Sequence, residues 1–150
     1  MEIKGRILGV DPGEKRIGLA VSDPLGITAQ GLPTIVVSSA GETTREIGET
    51  ARRLEAVRVV IGLPLQMDGS EGEGARKARK LGGRLEAELG LPVIFRDERL
   101  TSRLAEAALL EGDLSRKRRK AESDRLAAQL ILQNYLDEEG INLCAEKRED

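Results

Sequence analysis

The sequence predicts an α/β fold, a mixed five-stranded sheet with helices on both faces and the element order βββαβαβαα. Three observations predict it. The first quarter of the chain reads as three β-prone stretches joined by turn sequences. Helical patterns then alternate with short Val/Ile-rich runs that resemble strands buried on both faces. The final helical pattern carries an apolar stripe of Leu126, Ile131, Leu132, Tyr135 and Leu136, which needs a sheet face to cover.

Lys4–Val10 is apolar and ends at the turn sequence Asp11-Pro12-Gly13. Arg16–Ser22 alternates and is expected to pair antiparallel with it, before a second turn at Asp23-Pro24-Leu25-Gly26. Ile27–Val37 is the third strand, made irregular or confined to an edge by Gly31 and Pro33. Thr43-Thr44-Arg45-Glu46 has the capping-box pattern and predicts a helix to about Ala56. Arg58–Leu63 is a strand, and Ser70-Glu71-Gly72-Glu73 is a second capping box opening a helix to Leu89. Leu91–Arg96 is the fifth strand, Thr101–Glu111 a helix and Gly112–Ala121 a basic loop, followed by the last helix from Glu122 to Glu138. The expected organisation is one domain over residues 1–140 and a charged tail over 141–150. A domain of this size buries roughly 68–70% of its unfolded surface.

Composition narrows the chemistry. There is no histidine, which excludes imidazole as base or metal ligand, and one cysteine, Cys144, which excludes an internal disulfide and makes zinc implausible. Hydrolysis is left to carboxylates, which suit hard cations such as Mg²⁺ or Mn²⁺. No secretory signal pattern and no apolar run near the ~18 residues of a bilayer span is present, so a cytoplasmic chain without membrane contact is expected. The net charge of −2 hides two basic windows: Arg76, Lys77, Arg79, Lys80 and Arg84, and the continuous run Arg116, Lys117, Arg118, Arg119 and Lys120. Local fields decide where phosphate binds, although each run also reads as a solvated face.

In a mixed sheet of this order, ligands gather at the carboxyl ends of the parallel strands. That rim is expected to hold Asp11, the stretch Leu63–Met67 and Asp97-Glu98. Taken alone, each acid has a structural reading: Asp11 as a turn residue, Asp97 and Glu98 as loop charges, and Asp124 as an acid in the first turn of the last helix. Taken together, they are the set that phosphodiester hydrolysis requires. Carboxylates converging from different elements can hold one or two metal ions that activate water and offset phosphate charge.

Four motifs carry a resemblance to a known family. Leu8-Gly9-Val10-Asp11-Pro12-Gly13-Glu14-Lys15-Arg16-Ile17-Gly18 resembles the opening of the YqgF/RuvX family. Ile61-Gly62-Leu63-Pro64-Leu65-Gln66-Met67-Asp68-Gly69 resembles its second signature, and Asp97-Glu98-Arg99-Leu100-Thr101-Ser102 its third. Lys120-Ala121-Glu122-Ser123-Asp124-Arg125-Leu126 resembles its last. The resemblance implies a ribonuclease H-like fold related to Holliday junction resolvases. It also implies a role in ribosome biogenesis, trimming the 5′ end of precursor 16S ribosomal RNA. Asp11, Glu98 and Asp124 become the implied catalytic and metal-binding acids, with Asp97 an alternate to Glu98 because strand alternation turns the two to opposite faces.

The substrate expected is structured RNA, such as precursor ribosomal RNA, or branched DNA, with no nucleotide cofactor. Contacts to it are expected from Lys15, Arg76, Lys77, Lys80, Arg99 and Arg116–Lys120. Lys15, Arg16 and Arg99 are candidates for phosphate near the metals and read equally as ion-pair partners, the expected role for Arg16 inside a strand. Phe95 and Tyr135 are the only aromatic residues, so grip through the phosphate backbone is expected rather than base stacking. RNA trimming suits a monomer and junction resolution a two-fold homodimer. The competing readings are an actin-like nucleotide phosphatase or sugar kinase, and a non-catalytic nucleic-acid-binding factor.

Overall fold

A computed structural model describes residues 5–98 and 125–139. The expected Thr101–Glu111 helix, the basic loop and the tail lie outside the described residues. The element order is β1 (Arg6–Asp11), β2 (Arg16–Ser22), β3 (Ala29–Val36), α1 (Ala40–Arg53), β4 (Ala56–Leu63), α2 (Glu73–Leu89) and β5 (Val93–Asp97), and residues 125–139 are helical.

The sheet order is β3-β2-β1-β4-β5. β2 pairs antiparallel with both β1 and β3, whereas β4 runs parallel to β1 and to β5. This is the mixed five-stranded sheet that the pattern predicts. Pro33 falls where the β2–β3 register shifts, between the pairs Ile17↔Ile35 and Leu19↔Leu32. An edge strand tolerates it there, because the missing N–H faces no partner.

Two apolar layers enclose the sheet. On one face Leu8, Val10, Val59 and Ile61 pack against Ile47 and Ala51 of α1 and Ala75, Ala78, Leu81 and Leu85 of α2. The helical residues recur at three and four, as a face laid on a sheet requires. On the other face Ile7, Ala20 and Val60 pack against Ala128, Ile131, Leu132, Tyr135 and Leu136. Gln133 fastens that helix to the sheet edge: Ala29 N–H donates to its Oε1 at 2.9 Å and its Nε2 donates to the Ile27 carbonyl at 2.9 Å.

Two helix starts differ from expectation. α1 begins at Ala40, not at Thr43, because Ser39-Ala40-Gly41-Glu42 is itself a capping box upstream. Ser39 Oγ accepts from Glu42 N–H at 3.1 Å, while Thr43 and Thr44 are buried inside the helix. Ser39→Ala is expected to cost about 1 kcal/mol, read by chemical denaturation; an unchanged midpoint would make the cap dispensable. α2 begins at Glu73 behind Gly72, with no side-chain cap. Ser70 is spent in the preceding turn, where its hydroxyl donates to Asp68 Oδ1 at 2.6 Å and to Gln66 Oε1 at 2.9 Å. Among the described residues no helix is long and apolar enough to cross a membrane.

Candidate active site

β1, β4 and β5 run parallel, so their carboxyl ends share one rim, and strand alternation assigns every side chain there to a face. Ile7, Gly9 and Asp11 face the 125–139 helix, as do Val60 and Gly62 on β4 and Ile94, Arg96 and Glu98 on and just past β5. Asp11 and Glu98 are thus on the same face, two strands apart. Both are buried, at 9% and 7% exposure. The Glu98 carboxyl lies near enough to Asp11 to influence its protonation. Glu98 N–H also donates to the Leu63 carbonyl at 3.3 Å, which ties the end of β5 to the end of β4.

Asp97 is exposed, and alternation turns it to the opposite face. Of the two neighbouring acids, the one brought to Asp11 is Glu98. Burial pushes the Asp11 carboxyl above its ordinary value, and the hydrogen bond with Glu98 acts in the opposite sense. The donors are all hard oxygens, the set that fits Mg²⁺ or Mn²⁺. Among the described residues no group of three His, Cys, Asp or Glu side chains converges. Asp124 lies outside the described residues.

The expected phosphate contacts divide. Lys15 is exposed in the β1–β2 hairpin at the rim. Arg16 opens β2 beside it with a buried Nη1 that has no hydrogen bond, and it forms no ion pair among the described residues. Arg76, Lys77 and Lys80 are exposed on α2, across the sheet from the carboxylates, and Lys77 is ion-paired with Glu73 at 3.7 Å. The structure therefore does not bring this cluster to the two acids. Arg99, Arg116, Lys117, Arg118, Arg119 and Lys120 lie outside the described residues.

Gly62, which enters the sequence reading only as part of the second family motif, has a place at the site. The Glu98 carboxylate occupies the space a Cβ there would fill, and Ile131 Cδ1 would stand 2.7 Å from that Cβ. The available signal was a lone glycine interrupting Val59-Val60-Ile61-Gly62-Leu63.

The family described as RuvX, Holliday junction resolvase, matches residues 5–138. Curated relatives named "Putative pre-16S rRNA nuclease" include one from Moorella thermoacetica, 50% identical over 91% of this chain and 98% of its own length. Another, from Lactococcus lactis subsp. lactis, is 48% identical over 92% of this chain and 98% of its own length. Among solved structures, Thermus thermophilus RuvC superposes with a TM-score of 0.54 at 17% identity, covering 90% of this chain and 96% of that one. The fowlpox virus resolvase with Holliday junction DNA gives 0.55 at 13% identity, covering 89% and 97%. At these identities the likeness is one of fold.

Proposed function

The chain belongs to the family described as RuvX, Holliday junction resolvase, and from that membership together with the pre-16S name of its curated relatives we propose that it is a divalent-metal-dependent nuclease that processes the 5′ end of precursor 16S ribosomal RNA. The observation that carries the reading is the buried contact between Asp11 and Glu98, acids far apart in sequence, at the rim where such sheets bind ligands. A buried acid pair is costly to a chain with no use for it.

Asp11, Glu98 and Asp124 would hold Mg²⁺ or Mn²⁺. Support for Asp124 comes from its spacing. It precedes Ala128 by four residues in the sequence, and Ala128 packs on Gly9, two residues from Asp11. The bound ion supplies an activated water and counter-charge for the phosphate. The chain's own residues do the rest. Asp11 and Glu98 would have to be deprotonated to serve as ligands, so affinity for the ion would rise with pH. Arg16 and Lys15 stand at the same rim to take phosphate oxygens. Arg116–Lys120 would extend the phosphate contacts, making binding strongly salt-dependent.

RNA is favoured over branched DNA because the curated relatives at 48–50% identity carry the pre-16S name, whereas the solved resolvases, at 13–17% identity, share only the fold; the family's own description keeps junction resolution as the second reading. The same reading places the protein in the cytoplasm, acting as a monomer. Cleavage of a precursor 16S 5′ leader and of a four-way DNA junction, side by side with Mg²⁺ or Mn²⁺, tests it. Metal-dependent trimming of the leader is expected, with the junction left largely intact. Preferential cutting of the junction by a dimer would move the assignment to a resolvase, and cleavage of neither would overturn the nuclease.

Glu98→Asp tests the geometry. Glu98 stands one strand further from Asp11 than an immediate neighbour would, and a shortened side chain falls short of it. Cleavage is expected to drop on the order of 10–100-fold, the scale of a misplaced ligand. Wild-type activity in this variant would detach Glu98 from the site.

A further inference from the structure

Adjacent strands lie about 4.7–4.9 Å apart, so two carboxylates on β1 and β5 start from backbones separated by about twice that distance. An ordinary residue on β4 would raise its side chain between them. On this face and at this height the β4 residue is Gly62, since Val10 pairs with Ile61 and Gly62 pairs with Arg96. A Cβ there would approach Glu98 Oε2 closer than 3.0 Å. Nothing in the sheet itself calls for glycine at this point. Its φ is not in the left-handed region, and glycine inside a strand is disfavoured relative to other residues.

We propose that Gly62 is a positioning residue for the carboxylate site. Its bare backbone is the slot through which the acid at the end of β5 crosses β4 to reach the acid at the end of β1. A local rule broken without local benefit is the mark of a position set by function. The same absence of a side chain admits Ile131 from the covering helix, so Gly62 serves two neighbours at once. Gly9, on the adjacent strand, admits only the helix: a Cβ there would stand 2.9 Å from Leu132 Cβ and 3.3 Å from the Ala128 carbonyl oxygen. The slot for Glu98 is therefore a property of Gly62 and not of Gly9, and at Gly62 it is told apart from helix packing only by relieving the Ile131 contact. This inference rests on the metal-site reading given above, and its test distinguishes the two.

Gly62→Ala is combined with Ile131→Val, which deletes the Cδ1 that the new methyl would meet. Mn²⁺ affinity is read by electron paramagnetic resonance of the free ion, and metal-free thermal unfolding is recorded alongside. The double variant is expected to unfold cooperatively near the temperature of Ile131→Val alone. Its Mn²⁺ affinity is expected to fall about tenfold or more, as in Glu98→Gln. In a Glu98→Gln background the Gly62→Ala step is expected to add no further loss, because both changes remove the same ligand. A folded double variant that binds Mn²⁺ like Ile131→Val alone overturns the proposal, and so do losses that add in full. A Glu98→Gln variant that binds Mn²⁺ like wild type overturns the metal-site reading itself, and the slot with it.

Discussion

Asp11→Asn is expected to leave the chain folded and able to bind nucleic acid, but unable to cut it. Asparagine keeps the shape of the side chain and a carbonyl oxygen while removing the charge that holds a divalent ion. Losing a metal's charge stabilisation in the transition state is worth several kcal/mol, or about 10³-fold or more in kcat. The phosphate contacts expected at Lys15, Arg16 and the basic run are untouched, so affinity should change little. Single-turnover cleavage and filter binding at one salt concentration separate the two effects. Equal cleavage by variant and wild type would end the catalytic role of Asp11.

The same substitution is expected to raise stability in the absence of divalent ions. Burial holds the Asp11 carboxyl above its ordinary value of 3.8. A carboxyl raised in this way binds its proton more tightly folded than unfolded. Its contribution to stability is therefore complete below the unfolded value and is lost as pH rises through the raised one. At neutral pH the wild type carries that cost and Asp11→Asn does not. The gap in melting temperature should close on acidification, and Mg²⁺ or Mn²⁺ should stabilise the wild type alone. A variant less stable than wild type at neutral pH without metal would contradict this account.

Tyr135→Ala is expected to be the most destabilising single change on the helix side of the sheet. Tyr135 is 1% exposed and packs with Ile131, Leu132 and Leu136 against Ile7 and Val60. Its hydroxyl accepts from Arg58 Nη1, and the Arg96 guanidinium lies 5.1 Å from its ring centroid while pairing with Glu138. Truncating a buried aromatic costs about 3–5 kcal/mol, a large share of the roughly 5–15 kcal/mol that holds a domain folded. At roughly 2–4 °C per kcal/mol, the melting temperature should fall by about 10 °C. Tyr135→Phe keeps the ring and loses only the hydroxyl, so its loss should be much smaller. A drop of under about 3 °C for Tyr135→Ala, less than 1–2 kcal/mol on that scale, would mean the helix is not anchored through this residue.

Local signals made most of the architecture legible. The three opening strands, the strands at 58–63 and 91–96 and the final apolar stripe follow from period, turn residues and β-branched content, each set within a few neighbours. Local pattern does not fix a helix start where two caps compete. Thr43 and Ser70 have the right neighbours, but Ser39 lies earlier with an equal pattern, and Ser70 is already engaged by Asp68 and Gln66.

What the sequence by itself determined is the order and kind of elements and, through the absence of histidine, that imidazole takes no part in the chemistry. Only the tertiary structure decided that Glu98 rather than Asp97 faces Asp11, that the Arg76–Lys80 surface lies across the sheet from them, and that Gly62 stands against the Glu98 carboxyl. The reason is physical. Periodicity and capping are properties of adjacent residues, whereas facing and reach depend on strands that the chain places next to one another from distant positions.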